Sequence, residues 1–352
     1  MKTAMAFFSI SLFGALLLLV SLSWTYTIAA LYARRRLPLS RDSFDASPHN
    51  RGLVDVVMNV LFYGFVTLGA MELLRFLGQI PDAKDPKTGA NLILPIQFYA
   101  AGAAQLVAIV MGTAFVCVRA RIGVGRFGWD LTHRRDDLLL ALYSFGVVIV
   151  PVFAIQGLLA QIIDYEHPAI TPFKQNKSWE FFTAATLAVV FVGPIAEEFF
   201  FRGVLQAWLQ RISLLGVKSF SELFAPMPIL VAETGADLIA VEENSQLPLP
   251  DAENPFAFDT NSSATQKRRE IAVATSEVNA PIPQWPVWVT SAIFALLHSG
   301  QGAAPAPLFI FSVVLGYLYR KTDRLLPVIA MHMFLNGLSM AGLALSTLME
   351  TK

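Results

Sequence analysis

The stretch Gly193-Pro194-Ile195-Ala196-Glu197-Glu198-Phe199-Phe200-Phe201-Arg202-Gly203 lies inside a run, residues 180–209, that is hydrophobic enough to cross a membrane. Two carboxylates and a guanidinium have no cheap place in hydrocarbon. A charge at bilayer depth costs at least ~2.5–3.5 kcal/mol on insertion scales, so such residues face a partner or a water-filled cavity. The stretch therefore argues for a membrane-embedded helix bundle in which this helix has a task beyond spanning.

Composition agrees. Of 352 residues, 55% are hydrophobic and 15% charged, with a mean hydropathy of +0.55. Soluble domains carry roughly 25% charged residues, so the deficit points to an all-α polytopic integral membrane protein. The formal net charge is zero and there is no basic block, which leaves nucleic-acid binding without support. Cys117 is the only cysteine. It excludes an intramolecular disulfide and a multi-cysteine metal site, and reads as a small apolar filler.

Eight apolar runs approach the roughly 20 residues that a span needs: 5–32, 54–78, 92–118, 137–163, 180–209, 285–301, 304–320 and 325–347. The first is too long for the ~7–15-residue core of a signal peptide. Arg34-Arg35-Arg36 follows it, which makes it a membrane helix ending in the cytoplasm. The sixth and seventh runs are short and separated by Ser299-Gly300-Gln301-Gly302, so one is a candidate for a tilted or re-entrant segment. With the N-terminus outside, 18 Lys and Arg residues fall on the inner side and seven at the outer, the bias expected of a multi-pass protein of the cell membrane in that orientation.

The expected organisation is 1–170, about four N-terminal spans of unassigned role, then a core over 179–347 interrupted by a polar insertion at 221–284. The insertion holds seven prolines and ten acidic residues without a sustained hydrophobic period. It is expected to be a disordered cytoplasmic segment, with a regulatory or docking element as the other reading.

Helical geometry sorts the charges. At 100° per residue, Arg202 lies about 40° from Glu198 and about 140° from Glu197. Glu198 and Arg202 therefore form the expected i, i+4 ion pair, and Glu197 points elsewhere. Desolvation makes an unpaired carboxylate a stronger base, which suits a general base. Pro194 kinks the helix and opens room beside the carboxylates, or is simply tolerated packing; both readings stand. Phe294 and His298 share one helical face, as do His332 and Asn336. Two of the five histidines thus fall within spans, while His49, His133 and His167 fall in expected loops. At 1.5 Å per residue, Glu197, His298 and His332 lie roughly 12–21 Å from the cytoplasmic side, so they can meet in one cavity open to it.

Glu197-Glu198-x-x-x-Arg202, Phe294-x-x-x-His298 and His332-x-x-x-Asn336, in this order on successive spans, resemble the three motifs of the CAAX-protease and bacteriocin-processing (CPBP, or Abi) family of intramembrane proteases. That family includes the type II CAAX prenyl endopeptidases. Arg324-Leu325-Leu326-Pro327 leading into His332 is similar to the family's approach to its third motif. The resemblance covers residues 179–347 and implies an endopeptidase acting on membrane-associated or lipidated proteins and peptides in the bilayer. It implies that Glu197 with His298 activates water, that His332 and Asn336 stabilise the oxyanion, and that Glu198, Arg202 and Phe294 support the site.

Glu197, His298 and His332 would also make a zinc set with an open position. Their spread over three helices, with no His-Glu-x-x-His motif, leans toward metal-independent chemistry. One departure is the long insertion between the first two motifs, which normally lie on closely consecutive helices. The competing reading is a non-catalytic protein on the same scaffold, acting in bacteriocin immunity or partner binding, where the polar cluster is structural. A transporter is less well supported, because no internal repeat is evident.

Overall fold

The computed structural model describes residues 51–80, 93–163, 178–215, 223–224 and 283–350, together with 24–26 and 29. Among these residues every element is helical and none is a strand. The expected first span and nearly all of the 221–284 insertion lie outside the described residues.

Helices α1 (Leu53–Phe76) and α2 (Pro95–Ala120) form an antiparallel pair. A turn at Gly125–Trp129 leads to α3 (Arg134–Leu159). The fourth helix, α4, runs over 179–215 and changes register on the way: Leu187–Val192 and Phe199–Gln206 are π-helical, flanking an α-helical Gly193–Glu198. The remaining helices are α5 (Trp285–Leu297), α6 (Pro305–Thr322) and α7 (Leu325–Glu350).

Five helical stretches are long and apolar enough to cross a membrane: Leu53–Phe76, Pro95–Ala120, Gly125–Leu159, Trp179–Ser213 and Leu325–Leu345. The expectation of eight spans is thus met by five among the described residues. Helix α5, with 13 residues, is about 20 Å long. It cannot alone cross a ~30 Å hydrocarbon core, and it packs as a hairpin with α6.

Polar residues organise the interfaces. On α1, Asp55, Asn59 and Tyr63 recur every fourth position and meet Arg119, Gly112 and Gln105, spaced by seven on α2. Arg119 Nε donates to Asp55 Oδ1 at 2.6 Å, and Gln105 Nε2 donates to the Tyr63 hydroxyl at 3.0 Å. Between them Asn59 presses on Gly112, where a Cβ would overlap Asn59 Oδ1 and come within 2.9 Å of Phe199 Cζ. Asp55 also accepts from the Gly52 amide at 2.7 Å, capping α1.

The same end of the bundle is tied by Arg211 to the Arg51 carbonyl at 2.8 Å and by Arg324 Nε to the buried Asp137 at 2.8 Å. A buried core of Val116, Phe127, Leu140, Phe311, Leu315 and Met331 joins α2, α3, α6 and α7 around α4. Phe127, Trp129 and Phe199 cluster as three near-parallel rings, with centroids 6.5, 5.5 and 6.4 Å apart. This stack holds the middle of α4, and with it the carboxylates.

Candidate active site

Glu198 is fully buried and pairs with Arg202, Nη1 to Oε2, at 2.9 Å, as the i, i+4 spacing requires. Arg202 is equally buried, and its Nη2 donates to Ser312 Oγ at 2.7 Å and to the Ser312 carbonyl at 3.1 Å. One guanidinium thereby bolts α4 to α6. Four residues on, Gln206 Nε2 donates to the Gly316 carbonyl at 2.8 Å. Glu198, Arg202, Gln206 and Gln210 thus form a buried polar stripe at four-residue spacing, and two of its members read carbonyls four apart on α6. A buried ion pair of this kind needs such extra hydrogen bonds to offset its desolvation.

Glu197 points away from this bolt, and its side chain is 35% exposed. Its Oε2 is nevertheless buried and has no hydrogen-bond partner among the described residues. The nearest imidazole is that of His332, whose Nε2 lies 3.9 Å from Glu197 Oε2. That gap is too long for a hydrogen bond.

His332 Nδ1 lies 2.7 Å from Glu198 Oε1. The buried carboxylate therefore fixes the ring and turns its other nitrogen toward Glu197. His298 caps α5, with Nδ1 2.7 Å from the Phe294 carbonyl. A carbonyl only accepts, so Nδ1 carries the proton and a neutral His298 keeps its lone pair on Nε2. Asn336 Nδ2 donates to the Val189 carbonyl at 2.8 Å.

Phe294 ties the three motifs together. Its buried ring lies 4.7 Å from that of His298, 5.8 Å from that of His332, and 5.1 Å from the Arg202 guanidinium carbon. The site residues named from the sequence thus gather where α4, α5 and α7 meet. Sequence reasoning missed Ser312, Gln206, and the fixing of His332 by Glu198. Only the Glu198–Arg202–Gln206 spacing carried a signal that could have found part of this.

The zinc set does not assemble. No group of three His, Cys, Asp or Glu side chains suited to a metal ion occurs among the described residues. Of the suggested ligands, His332 presents Nε2 3.9 Å from Glu197 and has its other nitrogen on Glu198.

Residues 179–230 and 269–338 match a family model described as type II CAAX prenyl endopeptidase, Rce1-like. No curated protein and no solved structure matches the chain. The matched blocks contain all three motifs and leave out α1, α2 and α3. The apolar helices make the chain a multi-pass membrane protein, and the family's general activity is proteolysis of the CAAX type within a membrane. The part of the chain that carries the site is thus similar to the Rce1-like type II CAAX prenyl endopeptidases.

Proposed function

We propose that this protein is an intramembrane endopeptidase of the cell membrane that hydrolyses membrane-associated or lipidated protein substrates. Glu197 acts as the base. The observation that carries the reading is the contrast between neighbours: Glu198 is consumed by Arg202 and His332, while the Glu197 side chain is 35% exposed and its buried Oε2 has no hydrogen-bond partner among the described residues.

In this reading a water beside Glu197 adds to the scissile carbonyl and gives its proton to the carboxylate, which passes it to the leaving amine. His298, with its proton held on Nδ1, offers Nε2 as an acceptor that orients the same water. His332 spends Nδ1–H on Glu198, so it donates to an oxyanion only as an imidazolium, through Nε2–H. That form also gives the two carboxylates a second cation beside Arg202. Asn336 has a second amide proton beyond the one on Val189, and this is its donor to the oxyanion. The cavity faces the cytoplasm and the N-terminus lies outside, a placement supported by the uneven distribution of basic residues.

The test is cleavage of a quenched peptide library by purified protein in detergent, wild type beside Glu197→Ala. Cleavage by wild type and none by the variant is expected. Equal cleavage by both would sink the assignment.

A further inference from the structure

The hairpin of α5 and α6 enters the bilayer and turns back inside it. Both of its ends lie on one face of the membrane. Trp285 and Trp288 are exposed at the start of α5, and the Lys321 ammonium lies 5.6 Å from the centroid of the exposed Tyr317 ring near the end of α6. Exposed Trp and Tyr beside a basic residue mark a headgroup belt. Arg324, just beyond α6, bonds Asp137 near the start of α3, so the exposed Arg134 belongs to the same face.

From that belt neither helix reaches the other side. Trp285 to His298 spans about 20 Å of helix and Pro305 to Arg320 about 22 Å, against a hydrocarbon core of ~30 Å. Tilt only shortens the reach. The outer side of α5 is that of an embedded helix, because Val289, Ile293, Leu296 and Leu297 are all exposed and apolar. Polarity then switches within two residues. The chain reverses through Ser299–Gln301 and Gly302, whose φ of +62° favours glycine. Ser299, Gly300 and Gly302 are exposed. No aromatic residue occurs from Ser299 to Leu308, so nothing there marks a second headgroup belt.

Irregular backbone at bilayer depth is tolerated only inside protein or against water, never against lipid tails. The exposed turn is not inside protein. We propose that the Ser299–Gly302 turn is the floor of a water-filled notch that opens on the membrane face opposite the hairpin's ends. The floor lies roughly 8–10 Å below the hydrocarbon edge on that face. Helix α7, which packs on α6 and on the Gly193–Glu198 segment of α4, continues past the turn as one wall. The leaflet over the notch thins, a deformation that costs little per ångström beside unsatisfied backbone in lipid. His298 immediately precedes the turn, so water reaches the rim of the site from this face by a route separate from a cytoplasmic mouth. The inference rests on the placement of the hairpin in the bilayer and stands apart from the assignment of Glu197 as base.

Its test is single-cysteine labelling of the full chain in a Cys117→Ala background, with a membrane-impermeant maleimide applied to right-side-out and to inverted vesicles. Gly300→Cys is the main probe, because a Cβ there has nothing within 4 Å. Ser299→Cys, a near-isosteric change, is the second. Arg134→Cys reports the face of the hairpin's ends, and Ile293→Cys reports lipid. Both turn cysteines are expected to react from the face opposite the one that labels Arg134→Cys, about tenfold or more faster than Ile293→Cys.

Reaction of the turn cysteines only from the face that labels Arg134→Cys overturns the proposal, because the turn is then wetted from the near side. Failure to react from either face, in protein whose cysteines react once it is unfolded in SDS, overturns it as well, because lipid or protein then covers the turn. If Gly300→Cys does not accumulate, Ser299→Cys decides alone. Loss of peptide cleavage in Glu197→Ala leaves these outcomes untouched, so the two readings fail separately.

Discussion

Asn336 Nδ2 donates at 2.8 Å to the carbonyl of Val189, and that is the carbonyl Pro194 leaves without a partner. At the end of the first π segment the Gly193 amide bonds to Ala188, five residues back. The next amide in that register belongs at Val189, but residue 194 is a proline and has no N–H. A side chain from α7 fills the vacancy. Proline in a membrane helix is tolerated where a neighbour satisfies the freed backbone group.

Asn336→Ala should therefore destabilise the protein by roughly 1 kcal/mol, the worth of one part-buried hydrogen bond. Adding Pro194→Ala should restore most of it, since alanine supplies the missing N–H. Thermal melts of the two single variants and the double variant check this, and strictly additive losses would disprove the pairing. Turnover separates the two roles of Asn336. If its second proton serves the oxyanion, the double variant regains stability but stays slow.

Much of this bundle could be read from hydrophobic runs, because length and polarity alone fix where a helix can lie in a bilayer. The expected 54–78 and 137–163 became Leu53–Phe76 and Arg134–Leu159. Pairs within one helix were legible too, since spacing sets azimuth: Glu198–Arg202 is the example. Contacts between helices were not. Nothing in the spacing of His332 and Asn336 says that one turns to Glu198 and the other to Val189, 134 and 147 residues away. The π segments also escaped notice, because they alter which carbonyls are free without altering the apolar pattern. The short α5 was foreshadowed by its glycine-rich exit.

Arg202 is expected to matter more for folding than for chemistry. Arg202→Met leaves Glu198 buried with His332 as its remaining polar partner, and breaking a buried pair costs ~3–5 kcal/mol. Neutralising the partner as well, with Glu198→Gln, should recover a large part of that loss. The yield of monodisperse protein and its melting temperature in detergent report both. A double variant as unstable as the sum of its parts would show that the two residues act independently.

The orientation can be read with single cysteines, because Cys117 is the only native one. In a Cys117→Ala background, Lys84→Cys should react with a membrane-impermeant maleimide on intact cells. Arg134→Cys, at an exposed position at the start of α3, should react only after the membrane is opened. The reverse pattern would place the site's mouth on the outer side and remove access from the cytoplasm.

Gly112 should be the most sensitive glycine of the α1–α2 seam. A methyl group there meets Asn59 Oδ1 on one side and Phe199 Cζ, at 2.9 Å, on the other, so α1 or α4 must give way. Overpacking of this kind costs about 1–3 kcal/mol. Asn59 is 4% exposed, and its Nδ2 is bonded to the Asp55 carbonyl at 2.7 Å, so it cannot swing aside freely. Asn59→Ala should relieve part of the damage done by Gly112→Ala, leaving only the contact with Phe199. Gly69 has nothing within 4 Å of its would-be Cβ, and Gly69→Ala should be neutral or mildly stabilising. Because Phe199 lies two residues from Glu197, Gly112→Ala should also lower turnover in the protein that still folds. Normal turnover in a destabilised Gly112→Ala would mean that the seam sets stability alone and does not fix the height of the carboxylate.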